Sequence, residues 1–274
     1  NQDKYLELLL CPPQYMKVDI LNNAWMKRLD PKERVVNVDK AMAQFHQMYS
    51  LFSHDAVVYL LPPKRGLQDQ VYITNAAMIL PHLEKTAILS KYKADGRPGE
   101  EKEVSKILTM MEFKQYQSPY CFEGEAELKW LRENLYIGGY GIRTDIKALH
   151  WMEDKFGCKI IKIKEDDPLR YHLDCNIFCL NEEVILYAKD MVDTFSLKHM
   201  QKWAECIPIN RKVSQWSLTN SLRIGSVVYN GTDIDELKID DEEYDIEKKK
   251  NEELDKICSN YGLGCVFVNL SEFS

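Results

Sequence analysis

Phe122-Glu123-Gly124-Glu125-Ala126-Glu127-Leu128 and, further along, Tyr171-His172-Leu173-Asp174 are the two stretches on which the reading of this chain turns. The first gathers carboxylates around a glycine. The second sets a histidine two residues from an aspartate, so that on a strand both side chains point to one side. Carboxylates beside a single imidazole suit a cationic, planar molecule that also needs proton transfer. A guanidinium has those properties, because it keeps its charge and binds carboxylates through two parallel hydrogen bonds.

Working outward, the 274 residues are 45% hydrophobic and 29% charged, the make-up of an ordinary soluble globular protein. A net charge of −7 argues against a nucleic-acid partner, which would call for a basic face. No apolar run approaches the ~20 residues that a membrane span requires, so no membrane partner is expected. The opening Asn1-Gln2-Asp3-Lys4 has no signal-peptide pattern and, lacking Met, reads as a trimmed start. Eight scattered cysteines, without a Cys-x-x-Cys pair, read as reduced core residues in a cytoplasmic protein, not as a disulfide framework or a metal site.

Short runs rich in β-branched residues predict strands at Ala56–Leu61, Thr86–Leu89, Lys159–Ile163, Val184–Tyr187, Ile224–Tyr229 and Cys265–Val268. Helical spacing appears between them. Val38, Met42, Phe45, Tyr49 and Phe52 mark one face, Val104, Ile107, Leu108 and Met111 a second, and Ile146, Leu149 and Phe156 a third. Leu254, Ile257 and Tyr261 mark a fourth, which ends at Gly262. The alternation predicts an α/β protein, and with no Gly/Ser or Pro linker the expectation is a single domain over 1–274. No internal repeat is visible at the residue level. The mixed charges from Asp233 to Lys256 read as a solvated helix or loop face.

Three more segments carry chemistry. Asp69 and Asn75 flank what reads as a short strand, Val71-Tyr72-Ile73, and both residue types also shape turns. Gly138-Gly139-Tyr140-Gly141 lets backbone approach something closely, with Arg143 just beyond to fork onto a carboxylate. Thr219-Asn220-Ser221 offers an amide and hydroxyls ahead of a strand.

In this order, the segments resemble the guanidine-modifying enzymes of the pentein superfamily, which include arginine dihydrolases, dimethylargininases, arginine deiminases and amidinotransferases. Asn22-Asn23-Ala24-Trp25-Met26 is similar to their Asn-Pro-Trp-Met, with Ala24 in place of proline. Asp69 to Ala77, Phe122 to Leu128 and Tyr171 to Asp174 match three further motifs, and Glu127 takes a position often held by aspartate.

The resemblance implies a five-bladed, pseudo-symmetric α/β propeller with its site at the centre. It further implies Glu123 and Asp174 holding a guanidinium, His172 as general acid and base, and Asp69, Asn75, Asn23, Arg143, Glu127 and Asn220 as substrate-binding residues. Arg143 is expected to meet an α-carboxylate, and Asn22 is an alternative contact to Asn23. The implied chemistry is covalent hydrolysis by a cysteine thiolate, without metal or organic cofactor. The family's nucleophile lies past a segment similar to Ser271-Glu272-Phe273-Ser274, so it is expected beyond Ser274, in a last C-terminal strand that this chain lacks. Arginine dihydrolase activity is the leading expectation. Dimethylargininase, deiminase, amidinotransferase and a silent arginine-binding or partner-binding pentein remain as alternatives, and association into a homo-oligomer is left open.

Overall fold

Hairpin, helix, parallel strand: this order recurs along the chain in the computed structural model, which describes residues 6–32, 34–239 and 241–273. The opening Asn1-Gln2-Asp3-Lys4 and the final Ser274 therefore lie outside the described residues. The chain starts with β1 (Leu6–Leu10), α1 (Ala24–Arg28), α2 (Val38–Phe52) and β2 (Ala56–Leu60), and β2 pairs in parallel with β1. Next come β3 (Ala77–Ile79), β4 (Thr86–Leu89), α3 (Glu100–Met110) and β5 (Lys114–Gln117). A third group follows, with β6 (Leu128–Arg132), β7 (Leu135–Gly141), α4 (Ile146–Phe156) and β8 (Lys159–Glu165). The fourth has β9 (Ile177–Asn181), β10 (Val184–Ala188), α5 (Thr194–Met200) and β11 (Glu205–Ile209). After the short α6 (Arg211–Ser214), the last group has β12 (Ser221–Ile224), β13 (Val227–Thr232), α7 (Glu242–Asn260) and β14 (Gly264–Asn269).

In each of the last four groups the middle strand pairs antiparallel with the strand before it and parallel with the strand after the helix. The helix is what makes the parallel return possible, since a tight turn can only reverse a strand. Among the described residues the first sheet has two strands and the other four have three. A repeat is therefore present in the elements although it is not visible residue by residue. Different side chains satisfy the same pattern of burial.

Each sheet is joined to the next through a helix and an apolar cluster. Cys11 and Leu61 pack with Ala87, Leu89, Val104 and Leu108. Met78 and Ile88 pack with Tyr136, Leu149 and Met152, and Ile137 and Ile163 with Ile177, Ile185 and Met200. Leu186 and Ile209 pack with Val228, Leu254 and Ile257. The fifth cluster, Phe52, Ala56, Tyr229 and Val268, returns from the last sheet to the first.

Local signals set the element ends. The Asn37 side chain accepts from Lys40 N at 3.1 Å to open α2, and Asp145 accepts from Lys147 N at 2.9 Å to open α4. Gly157 closes α4 in the left-handed region at φ 68°. Two expectations need correcting. Ile224–Tyr229 is not one strand, because Gly225, at φ 57°, reverses the chain and Ile224 pairs with Val227. The charged run is not simply a solvated face either. Most of it forms α7, and Glu247 and Lys250 are both buried there as an ion pair, with Lys250 Nζ also donating to Gly231 O at 2.6 Å. No helix among the described residues is long and apolar enough to cross a membrane.

Candidate active site

A single 3₁₀ turn precedes the first strand of three successive groups: Ile73–Asn75 before β3, Gly124–Ala126 before β6, and Leu173–Cys175 before β9. Asn75, Glu123, Glu127, His172 and Asp174 lie in these turns or at their ends, and the turns correct two expectations. Asp69 and Asn75 do not flank a strand: Tyr72 N bonds Asp69 O at 3.0 Å in a turn that leads into the 3₁₀ segment. His172 is extended, but Asp174 already lies in its 3₁₀ turn, so the two do not share a strand face. Proximity in this site comes from the packing of turns.

Gly124 shows how tight that packing is. It sits at φ +63°, and a Cβ there would fall 2.4 Å from Thr74 O and 2.7 Å from Asn75 C. Both the conformation and the contact require glycine. Gly124→Ala is accordingly expected to cost about 3 kcal/mol from strain and overpacking. Chemical denaturation would measure this, and an unchanged midpoint would show that the turns need not touch.

Glu123 is the hub. Its Oε2 lies 2.7 Å from His172 Nε2, and both its oxygens accept from Arg143 Nη1 at 3.2 Å. Arg143 Nη2 donates to Asn22 O at 2.9 Å, and its guanidinium lies 4.5 Å from the centre of the Tyr171 ring. Asn22 Nδ2 donates to Asp69 Oδ2 at 2.6 Å, and Asn75 Nδ2 is 3.3 Å from His172 Nε2. Glu123, Asp69, Asn75, Arg143, His172 and Asp174 are all buried. The cavities of about 310 and 350 Å³ beside Ser90–Tyr92 and Tyr140–Ile146 are lined by none of these six residues.

Burial alone would raise the Glu123 carboxyl, but the hydrogen bond and charge of His172 and the charge of Arg143 outweigh it and hold the group at about 2. The hub is therefore a carboxylate at ordinary pH. Cys175, whose Sγ donates to Asp174 Oδ1 at 3.7 Å, shows the opposite effect. Burial first, then the carboxylates of Asp174 and Glu165, push its thiol well above the usual range. That is the wrong direction for a nucleophile.

The remaining predicted residues divide. Asn23 caps α1, its Oδ1 accepting from Met26 N at 2.8 Å, while Asn22 makes the contact to Asp69. Arg143 directs its donors inward to Glu123 and Asn22, not to an open face. Glu127 lies beneath His172, its Oε2 accepting from Leu173 N at 3.3 Å. Asn220 is exposed before β12, with its carbonyl accepting from Asn230 Nδ2.

The sequence reading missed Arg97, Tyr171 as a ring beneath Arg143, and Glu165. Arg97 forks onto Glu100 and also donates to the carbonyls of Asp69 and Tyr72, fixing the turn that presents Asp69. Glu165 had a legible signal, because it falls in phase with the buried Ile161 and Ile163 on β8.

No family model matches the chain. Over 194 residues it is 26% identical to the bifunctional arginine dihydrolase/ornithine cyclodeaminase AgrE of Nostoc sp., covering 70% of this chain and 27% of that protein. Over 181 residues it is 28% identical to an N(G),N(G)-dimethylarginine dimethylaminohydrolase of Mycobacterium tuberculosis, covering 65% of this chain and 57% of the relative. The likeness is to the guanidine-modifying pentein superfamily. Among solved pentein structures, the N-terminal domain of ArgZ, an arginine dihydrolase bound to product, matches with a TM-score of 0.84 at 20% identity, covering 98% of this chain and 93% of that one. A dimethylarginine dimethylaminohydrolase adduct with S-methyl-L-thiocitrulline matches with a TM-score of 0.75 at 16% identity, covering 98% and 94%. At these identities the structural likeness is one of pentein fold. The match also spans little more than a quarter of the bifunctional relative's own length (27%).

Proposed function

We propose that this chain is a guanidino hydrolase of the pentein superfamily that acts on arginine, releasing ornithine, ammonia and carbon dioxide. The observation that carries the reading is the Glu123 carboxylate, which meets an imidazole at 2.7 Å and a guanidinium at 3.2 Å. The arrangement is already that of a guanidinium held beside a proton-transfer group, with Arg143 standing where a substrate guanidinium would lie. Both charge and shape favour such a ligand, because two-pronged carboxylate pairing is what a guanidinium does best.

In this reading the five sheets are the blades of a pseudo-symmetric α/β propeller formed as one domain by residues 1–274. The nucleophile in this reading is a cysteine thiolate, a part for which Cys175, its thiol held well above the usual range, is unsuited. Glu123, Asp174 and Asp69 hold the guanidinium. The thiolate attacks the guanidinium carbon, and His172 protonates the departing ammonia. His172 then takes a proton from water, which attacks the covalent intermediate and frees the thiolate. Asn75, beside His172, orients the second round of attack that removes the other nitrogen. Arg143 turns from Glu123 to the substrate's α-carboxylate as the guanidinium enters.

The main support for dihydrolysis is Asn75, next to the base, together with relatives named as arginine dihydrolases. Asn23 favours a second reading, since its carbonyl oxygen is engaged in capping α1 and its amide nitrogen faces Asn22 Oδ1 at 3.4 Å. If two asparagines are needed and Asn22 does not replace it, hydrolysis stops at citrulline. Product analysis with L-arginine separates the two: dihydrolysis gives two ammonia per ornithine, whereas accumulating citrulline would establish deiminase chemistry.

A further inference from the structure

Glu127 and Glu165 are buried beneath the His172 turn, and the second has no part in the chemistry above. They meet over Gly139, where a Cβ would lie 2.6 Å from Glu127 Oε2 and 2.7 Å from Glu165 Oε2. Asn176, on the turn that follows His172, is buried beside them and leaves its Oδ1 without a donor. Four acceptors here, Glu127 Oε1, both Glu165 oxygens and Asn176 Oδ1, receive no N–H or hydroxyl hydrogen. Two touching carboxyls cannot both ionise in so dry a place, and neutral carboxyls would supply O–H donors to exactly such acceptors. Among the described residues no group of three or more His, Cys, Asp and Glu is placed to hold a metal ion instead.

The neighbouring contacts show what such a pair would do. Leu173 N donates to Glu127 Oε2 at 3.3 Å, and Asn176 Nδ2 donates to His172 O at 3.2 Å. That N–H and that carbonyl belong to the same peptide, the one joining His172 to Leu173. We propose that Glu165 is a positioning residue for His172: it shares a proton with Glu127, bonds Asn176, and through these two grips the His172–Leu173 peptide at both its N–H and its C=O. The inference rests on the reading of His172 as the base.

Burial, followed by the charges of Asp174 and Glu123, supports this by raising Glu165 to about 8, with Glu127 raised well above the carboxylate range. The charged and titratable groups facing the pair are Glu123 on one turn, His172, Asp174 and Cys175 on the other, and Arg143 beyond Glu123. A carboxyl raised in the folded state contributes its full stability below the unfolded value of about 4.3 and loses it as pH climbs through about 8.

The test compares wild type, Glu165→Gln and Glu165→Leu in thermal unfolding from pH 5 to 9 and in kcat and KM for arginine. Glutamine keeps the neutral form at every pH. Wild type is expected to fall behind Glu165→Gln as pH rises, by about 5 °C in Tm at pH 9. Leucine, which breaks the bond to Asn176, is expected to lower kcat about tenfold with KM little changed, and glutamine to restore most of that loss. Wild-type and Glu165→Gln melting curves that run parallel from pH 5 to 9 would overturn the proposal, and so would equal kcat losses in both variants. If Glu165→Leu does not fold, the glutamine comparison decides alone. Diverging melting curves in a protein that never turns over arginine would instead uphold the clamp and sink the functional reading.

Discussion

His172→Ala is expected to lower kcat on arginine by about a thousandfold while leaving KM within a few-fold. General acid–base catalysis is worth roughly 10²–10⁴, and here one imidazole is asked both to protonate the leaving ammonia and to activate water. The guanidinium-binding carboxylates remain in the variant, so binding is largely kept. The fold is also kept, because Glu123 retains both its contacts with Arg143 when the imidazole is gone. Steady-state kinetics with ammonia detection makes the measurement. Wild-type turnover by His172→Ala would mean that the proton moves through another group and that the proposed mechanism is wrong.

The second large effect is expected from Glu123→Ala, and it should appear in stability as well as in activity. Removing one partner of a buried ion pair strands the other, at about 3–5 kcal/mol. Here the stranded group would be Arg143, itself buried and left with Asn22 O and the Tyr171 ring as neighbours. Glu123→Gln should be milder, because the amide oxygen still accepts from Arg143. Acid should act in the same direction. The Glu123 carboxyl is depressed to about 2, so its contribution is complete above the unfolded value of about 4.3 and is lost as pH falls toward 2. Urea denaturation of both variants at pH 7 checks this. A Glu123→Ala protein within about 1 kcal/mol of wild type would show that Arg143 finds another partner and that Glu123 is not the hub.

Much of this was legible in the sequence, for identifiable reasons. Helices α2, α3, α4 and α7 announce themselves because each lays one apolar face on a sheet, as the spacing of Val38, Met42 and Phe45 shows. Strands such as Ala77–Ile79 and Lys114–Gln117 escaped because the first is only three residues long and the second is largely polar, so neither carries a readable period. The Ile224–Tyr229 run was misread because apolar residues continue across a turn at Gly225. In the site, residue types were readable but their neighbours were not. Nothing local says that Arg143 reaches back to Asn22, 121 residues earlier, or that Arg97 fixes the turn of Asp69. Those contacts come from the packing of one group against the next, which local sequence does not encode.

The most direct measurement is ammonia release from L-arginine by the full-length polypeptide, run beside its thermal unfolding with and without arginine. The expected result is ammonia formation at enzymatic rates that His172→Ala abolishes. Arginine that raises the melting temperature with no ammonia formed would contradict the hydrolase reading and leave a binding module in its place.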